Sequence, residues 1–192
     1  MATIGILNLQ GDVSEHFNIT KQALDEMKIP CEVLKIRNAD DVSKCQGIII
    51  SGGESTVIGK LMEETGIKKK IIDQKIPLMG TCAGMILLSK KTDHDQPLLE
   101  IIDMEVKRNA FGRQKASFED KIDIIGEKFQ GVFIRAPYVV KVGENVDVLS
   151  KYKNKILAVK SGKNIATAFH PELTDDTRIH KYFIKEALNC VE

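Results

Sequence analysis

The hydrophobic pattern of the chain has two regimes. In the first, apolar runs alternate with stretches of helical period. Ile4-Gly5-Ile6-Leu7-Asn8-Leu9 is almost continuously apolar, as a strand buried on both faces must be, and Gln10-Gly11 turns the chain. Val13, Phe17, Leu24 and Met27 then recur at roughly helical spacing, behind Asp12-Val13-Ser14-Glu15, which offers capping-box chemistry. Pro30 stops that helix; residues 31–36 read as a second strand, 39–45 as a short helix and 47–50 as a third strand. Ser51-Gly52-Gly53-Glu54-Ser55-Thr56 opens the next helix, and Ile76-Pro77-Leu78 starts a fourth strand. Strands of the buried type alternating with helices predict a mostly parallel sheet covered by helices on both faces, with ligands at the carboxyl ends of its strands.

From about Leu99 the period shortens. Residues 101–107, 115–119, 121–125, 131–135, 138–142, 146–149 and 156–160 alternate apolar with polar, and turns such as Gly143-Glu144-Asn145 and Lys153-Asn154 separate them. This predicts antiparallel strands extending or edging the parallel sheet. Residues 165–169 form another strand, and the loop holding His170 follows it. Asp175 or Asp176 caps a last helix whose inner face carries Ile179, Phe183, Ile184 and Leu188. The polar stretch 90–96 reads as an exposed loop. There is no internal repeat, linker or low-complexity segment, so residues 1–192 are expected to form a single α/β domain.

Composition narrows the function by exclusion. The chain is 43% hydrophobic and 29% charged, an ordinary globular balance, and its net charge of +1 argues against nucleic acid or an anionic membrane as a partner. Cys31, Cys45, Cys82 and Cys190 form no C-x-x-C pair and have no histidine at zinc-ligand spacing, so no metal site and no disulfide framework are expected. The first residues lack the basic start and apolar core of a signal peptide, and no apolar run approaches a membrane span. A reducing, cytoplasmic setting is the expectation, and it suits a working thiolate.

Gly80-Thr81-Cys82-Ala83-Gly84 carries the strongest chemical signal. A cysteine between a short strand and a helix, with glycines two residues away on each side, is the pattern of a nucleophile elbow. The turn strains the nucleophile's backbone and brings neighbouring chain close, which glycine permits. The sulfur then lies at the positive end of a helix, and the Ala83 amide points where an oxyanion would form. A free cysteine is more often a small buried hydrophobe, so the case rests on Phe169-His170-Pro171-Glu172. Proline pushes His170 toward extended angles, and residues two apart in extended chain face the same way, so Glu172 can orient His170 as a base for Cys82. By itself that segment would read as a surface turn.

Two further segments carry weaker signals. Gly52-Gly53-Glu54-Ser55 lacks P-loop spacing and its lysine; Glu54 there favours a ligand ammonium over a phosphate, and Gly53 offers a second oxyanion amide. In residues 107–114, Arg108 suits a ligand carboxylate; the bland alternative is an edge strand with a bulge at Gly112. His16, His94 and His180 read as solvated or packed residues rather than ligands, and Lys68-Lys69-Lys70 as a solvated helix face.

With these residues in place, the chain resembles the class I, or triad, glutamine amidotransferases, and within them the glutaminase subunits of pyridoxal 5′-phosphate synthases. The elbow and the His-Pro-Glu turn are shared across triad amidotransferases. The more specific segments are Leu9-Gln10-Gly11-Asp12-Val13 with Glu15-His16, Gly52-Gly53-Glu54-Ser55-Thr56, Arg108-Asn109-Ala110-Phe111-Gly112-Arg113-Gln114 and Gly131-Val132-Phe133-Ile134-Arg135-Ala136-Pro137. The resemblance implies a flavodoxin-like three-layer sandwich and hydrolysis of L-glutamine with no cofactor. It implies Cys82 as nucleophile, His170 as base and acid, and Glu172 as orienter. Gly53, Glu54, Ser55, Arg108, Ile134 and Arg135 would line the glutamine site, with Gly53 and Ala83 as oxyanion donors. The ammonia would pass to a barrel-shaped synthase subunit in a hetero-oligomeric complex. A glutaminase of another ammonia-using synthase, such as imidazole glycerol phosphate synthase, and a non-catalytic regulatory member of the fold are the alternatives.

Overall fold

The computed structural model describes residues 1–109 and 117–190. The first half alternates as the apolar runs require: β1 (Ala2–Leu7), α1 (Val13–Met27), β2 (Cys31–Ile36), α2 (Ala39–Val42), β3 (Gly47–Ile50), α3 (Ser55–Glu64), α4 (Ile67–Gln74), β4 (Leu78–Thr81) and α5 (Ala83–Leu88). The second half is mainly strand: β5 (Ser89–Thr92), β6 (Ile102–Lys107), β7 (Ser117–Ile124), β8 (Glu127–Ile134), β9 (Tyr138–Val142), β10 (Asp147–Tyr152), β11 (Lys155–Ser161) and β12 (Asn164–Thr167). A 3₁₀ turn at Pro171–Leu173 and α6 (Arg178–Leu188) follow.

The main sheet has the order β2-β1-β3-β4-β12-β11-β9-β6-β5, with β10 on the side of β11. Its first five strands are parallel, in registers such as Ile4↔Gly47, Ile48↔Leu78 and Ile165↔Met79. Ile4, Ile6, Ile48, Ile49, Ile50, Leu78 and Met79 are all fully buried, because helices cover both faces: α1 packs with α6, while α3 packs with α4 and α5. That is the doubly wound, flavodoxin-like order, in which ligands meet the carboxyl ends of the strands. β12, reached late in the chain, lies directly beside β4, so the residues after each come together.

Beyond β12 the sheet turns antiparallel through β11, β9 and β6. β5 breaks this pattern by pairing parallel to β6, and it takes up residues 90–92 of the stretch expected to be loop. The two expected strands at 115–119 and 121–125 are one continuous strand, β7, paired from Ser117↔Ile134 to Ile124↔Glu127 with β8. The expected bulge at Gly112 and the strand start at Lys115 lie outside the described residues. This hairpin packs inward through aromatic rings: Phe133 lies 4.6 Å from Phe118 and 5.9 Å from Phe169, edge-on to the latter. Phe133 and Phe169 are fully buried, worth roughly 2–3 kcal/mol each. His170 follows immediately, and its amide donates to the Val132 carbonyl at 2.8 Å, so hairpin packing fixes where that loop stands.

Both helix caps differ from expectation. Asp12 occupies the N-cap of α1 but its side chain accepts no cap hydrogen bond, and Glu15 is exposed, so no capping box forms. Thr177, not Asp175 or Asp176, is the N-cap of α6. Asp176 still helps there, since its carboxylate accepts from the Arg178 amide at 3.1 Å. Among the described residues no helix is long and apolar enough to cross a membrane.

Candidate active site

Cys82 stands between β4 and α5 with φ 49° and ψ −102°, a left-handed backbone that a residue bearing a side chain adopts only under constraint. The constraint is visible. The Cys82 amide donates to the Thr167 carbonyl of β12 at 2.8 Å. A Cβ on Gly80 would lie 2.5 Å from the backbone of Gly84, and one on Gly84 would lie 2.2 Å from the Ile50 carbonyl oxygen. The two glycines therefore allow close approach, while the positive φ falls on the cysteine itself. The sulfur is nearly buried and lies 3.8 Å from the Ile134 carbonyl. α5 begins at Ala83, whose amide has no helical acceptor.

Across from the sulfur, His170 Nδ1 and Glu172 Oε1 are 2.8 Å apart. Burial opposes a charge on His170, but the nearby Asp12 carboxylate, the Cys82 sulfur and the hydrogen-bonded Glu172 carboxylate outweigh it, and its pKa is pushed up to about 12; among the described residues its Nε2 has no hydrogen-bond partner. Burial would raise the Glu172 carboxyl; His16 first and His170 second reverse that and hold it well below the usual carboxylate range. The site thus favours an imidazolium against a carboxylate, with the sulfur on its other side. Asp12 Oδ2 stands 3.4 Å from the same His170 nitrogen. That is where its side chain goes instead of capping α1. Asp12, His170 and Glu172 have ligand atoms within 4.8 Å of one another, a closeness that a hydrogen-bonded carboxylate–imidazole pair already explains.

A cleft of about 390 Å³ opens onto the sulfur, lined by Gly53, Glu54, Ser55, Cys82, Ala83, Arg108, Ile134, Arg135 and His170 among others. Every expected site residue is on its wall except Glu172, which stands behind His170. A profile of the SNO glutamine amidotransferase family matches residues 6–189. The chain belongs to this family. It is 64% identical to the pyridoxal 5′-phosphate synthase subunit PdxT of Methanothermobacter thermautotrophicus, over the full length of both chains, and 63% identical to that of Methanobrevibacter smithii, also over both full lengths. Among solved structures it is similar to a glutamine amidotransferase at 42% identity, with a TM-score of 0.88 over 96% of this chain and 98% of that one. At 11% identity, the glutaminase domain of Trypanosoma brucei CTPS shares the fold, with a TM-score of 0.65 over 100% of this chain and 96% of that one.

Some neighbours were not expected. Glu54, expected to face a ligand ammonium, also caps α3: its Oε1 accepts from the Thr56 hydroxyl at 3.0 Å. Gln10 Oε1 accepts from the Glu54 amide at 2.8 Å. Gln96, inside the stretch read as exposed loop, is half-buried and accepts from Ser55 Oγ at 3.0 Å and Arg108 Nη1 at 3.1 Å. His94 is exposed, as expected. His16 and His180 are packed, but not incidentally. Both are fully buried, and His16 Nε2 lies 3.2 Å from Glu172 Oε2.

Proposed function

We propose that this chain hydrolyses L-glutamine to L-glutamate and ammonia, and that it delivers the ammonia to a separate pyridoxal 5′-phosphate synthase subunit in a hetero-oligomeric complex. One observation carries the chemistry: a strained, nearly buried cysteine beside a hydrogen-bonded His170–Glu172 pair, in a cleft that also holds Arg108 and Glu54. Membership of the glutamine amidotransferase family and the names of the full-length relatives support the partner.

The steps follow from the groups. The Cys82 thiolate attacks the side-chain amide carbon of glutamine. The amides of Ala83 and Gly53 hold the oxyanion, each such donor being worth roughly 3 kcal/mol. The tetrahedral adduct collapses to a thioester as the C–N bond breaks, and His170 gives the leaving nitrogen its proton. Water then loses a proton to His170 and attacks the thioester; glutamate leaves and the thiolate returns. Glu172 keeps His170 turned so that one nitrogen always faces the sulfur. Arg108 takes the substrate carboxylate, with Gln96 bracing its guanidinium. Glu54 takes the ammonium, and Ser55, Ile134 and Arg135 close the wall.

A glutamine-mimicking diazo-ketone should label Cys82 alone among the four cysteines; label mainly on Cys31, Cys45 or Cys190 would sink the assignment. His170→Asn should lower turnover about 10⁴-fold or more, whereas Glu172→Gln should leave measurable activity and the double variant should be little worse than His170→Asn. Multiplicative losses would count against a coupled pair. Co-purification with a synthase subunit tests the partner.

A further inference from the structure

Behind the triad lies a buried group of side chains that these steps do not use. Glu172 gives Oε1 to His170, and its other oxygen faces His16 Nε2 at 3.2 Å. The same His16 nitrogen is 3.0 Å from Thr81 Oγ1, and His16 Nδ1 is 3.0 Å from His180 Nε2. Both histidines are fully buried. His16 comes from α1, His180 from α6, and Thr81 is the last residue of β4, next to the nucleophile. Three elements therefore converge on His16, which stands against the carboxylate that orients the catalytic base.

The distances decide where the hydrogens lie. Only one hydrogen fits between His16 Nδ1 and His180 Nε2. A lone pair on His16 Nε2 would oppose a carboxylate oxygen at 3.2 Å, a repulsion that a dry site does not screen. A hydrogen on that nitrogen instead bonds Thr81 Oγ1 and sets its positive end against Glu172 Oε2 at 3.2 Å, an oxygen that makes no hydrogen bond among the described residues. In a neutral His16 ring Nδ1 then accepts and His180 Nε2 donates. Among the described residues His180 Nδ1 has no hydrogen-bond partner. In this arrangement it carries only a lone pair; in the reverse one it would be a buried, stranded N–H, the costlier defect. Burial first, and His16 second, hold the His180 pKa down to about 3, consistent with a ring that donates from one nitrogen only.

We infer that His16, backed by His180, is a positioning residue: its Nε2–H, held by Thr81, attracts the second oxygen of Glu172 across 3.2 Å, so that the first stays aimed at His170. The need for such a pin is visible, because Asp12 Oδ2 stands 3.4 Å from the same His170 nitrogen. With Glu172 unpinned, this half-exposed carboxylate can draw the imidazole toward itself and off the line to Cys82.

The kinetic half of the inference rests on the glutaminase reading; the tautomer half does not. Nitrogen-15 imidazole spectra of the purified chain at neutral pH should show Nε2–H tautomers at both His16 and His180, and an Nδ1–H at His16 would overturn the inference. In glutamate-release assays with the synthase subunit, His16→Leu should lower kcat roughly 10- to 100-fold with KM within about twofold, the usual size of effect when an outer hydrogen bond to a catalytic group is lost. His16→Gln can place an N–H near the same oxygen and should recover most of the loss. Unchanged kcat in His16→Leu, or equal losses in both variants, would overturn the role. If His16→Leu does not fold, His16→Gln decides: activity near that of the parent chain, with the Nε2–H tautomer at His180 retained, supports it, and a loss as large as that of Glu172→Gln refutes it. A parent chain that releases no glutamate would refute the glutaminase reading, while the spectra still judge the hydrogen-bond chain.

Discussion

Two loops meet at the carboxyl edge of the sheet, and they are built in opposite ways. The elbow after β4 is locked. Its strained cysteine is tied to Thr167, and its flanking glycines touch backbone that cannot yield. The Gly52-Gly53-Glu54 loop after β3 is held from the side. Gly53 has φ 143°, the Gly52 carbonyl accepts from the Asp12 amide at 3.4 Å, and the Glu54 amide leans on the Gln10 side chain. A Cβ on Gly53 would first meet that flexible glutamine tip, at 2.4 Å. The proposed nucleophile is thus fixed by the core, whereas the proposed second oxyanion donor, Gly53, is braced chiefly by residues 10–12 at the start of α1. A nucleophile gains from permanence; a donor that must appear only when ammonia has an acceptor gains from being adjustable.

The harshest way to break this contrast is Gly84→Ala. Its methyl would be driven into the Ile50 carbonyl, which should cost about 3 kcal/mol, the upper end for overpacking, and erase activity with it. Gly162→Ala is the control: φ is 57°, nothing lies within 4 Å, and the cost should be about 1 kcal/mol. Denaturant midpoints compare the two. Equal midpoints would mean that the elbow is not locked by packing.

Next in size comes the adjustable loop. Glycine tolerates either sign of φ, so a peptide between two glycines can rotate cheaply. Because residues 10–12 brace that peptide, a partner docking on residues 8–16 can favour the form whose Gly53 amide faces the oxyanion. Loss of one oxyanion donor lowers turnover roughly 10²- to 10³-fold, and a few kcal/mol of differential binding shifts such an equilibrium. Saturating synthase subunit should therefore raise glutamate release by about that factor. Equal turnover with and without it would remove the switch and leave the glutaminase chemistry standing.

The same contrast explains what could be read along the chain. The elbow and the His170–Glu172 pair are short in sequence, so glycine spacing and a proline betray them, and the unbroken apolar runs betray the parallel sheet. What could not be read depends on partners far away. His16 lies on the inner stripe of α1 with Ile19, Ala23 and Leu24, but a polar residue on that stripe looks like a solvated one until His180, 164 positions later, is beside it. Asp12 looked like a cap because its competing partner is His170. Gln96 looked exposed because its partners, Ser55 and Arg108, come from other segments. β7 looked like two strands because Asp120 interrupts the pattern between 115–119 and 121–125, whereas Asp120 accepts from the Tyr152 hydroxyl at 2.5 Å and the strand runs through.

Gln96 also gives a milder test of the cleft. A hydrogen bond to a charged group is worth about 1.5–3 kcal/mol. Without Gln96 the Arg108 guanidinium loses its brace and Ser55 its acceptor, while the elbow is untouched. Gln96→Ala should raise KM for glutamine about tenfold and leave kcat within a few fold. A fall in kcat with KM unchanged would mean that Gln96 serves the reacting centre rather than substrate binding.

The smallest effect is on stability, and it separates the buried histidine from the triad by pH. His180 has a depressed pKa, about 3 against an ordinary 6.5. Below 6.5 the unfolded chain takes up a proton there that the folded chain refuses, so its share of stability is lost as pH falls from 6.5 toward 3. His170 works in the other direction. Its raised pKa stabilises the fold fully below 6.5, and that share is lost only as pH climbs toward about 12. Glu172 is depressed from 4.5, so its share begins to fall only near and below that value. Between pH 6.5 and 4.5, of these three groups, only His180 contributes a slope, at most about 1.4 kcal/mol per pH unit. Urea midpoints measured across that window should drop with acid in the parent chain and drop less in His180→Gln. Parallel curves would show that the buried ring is not refusing a proton, and that the wall behind the locked half of the site is less dry than its burial implies.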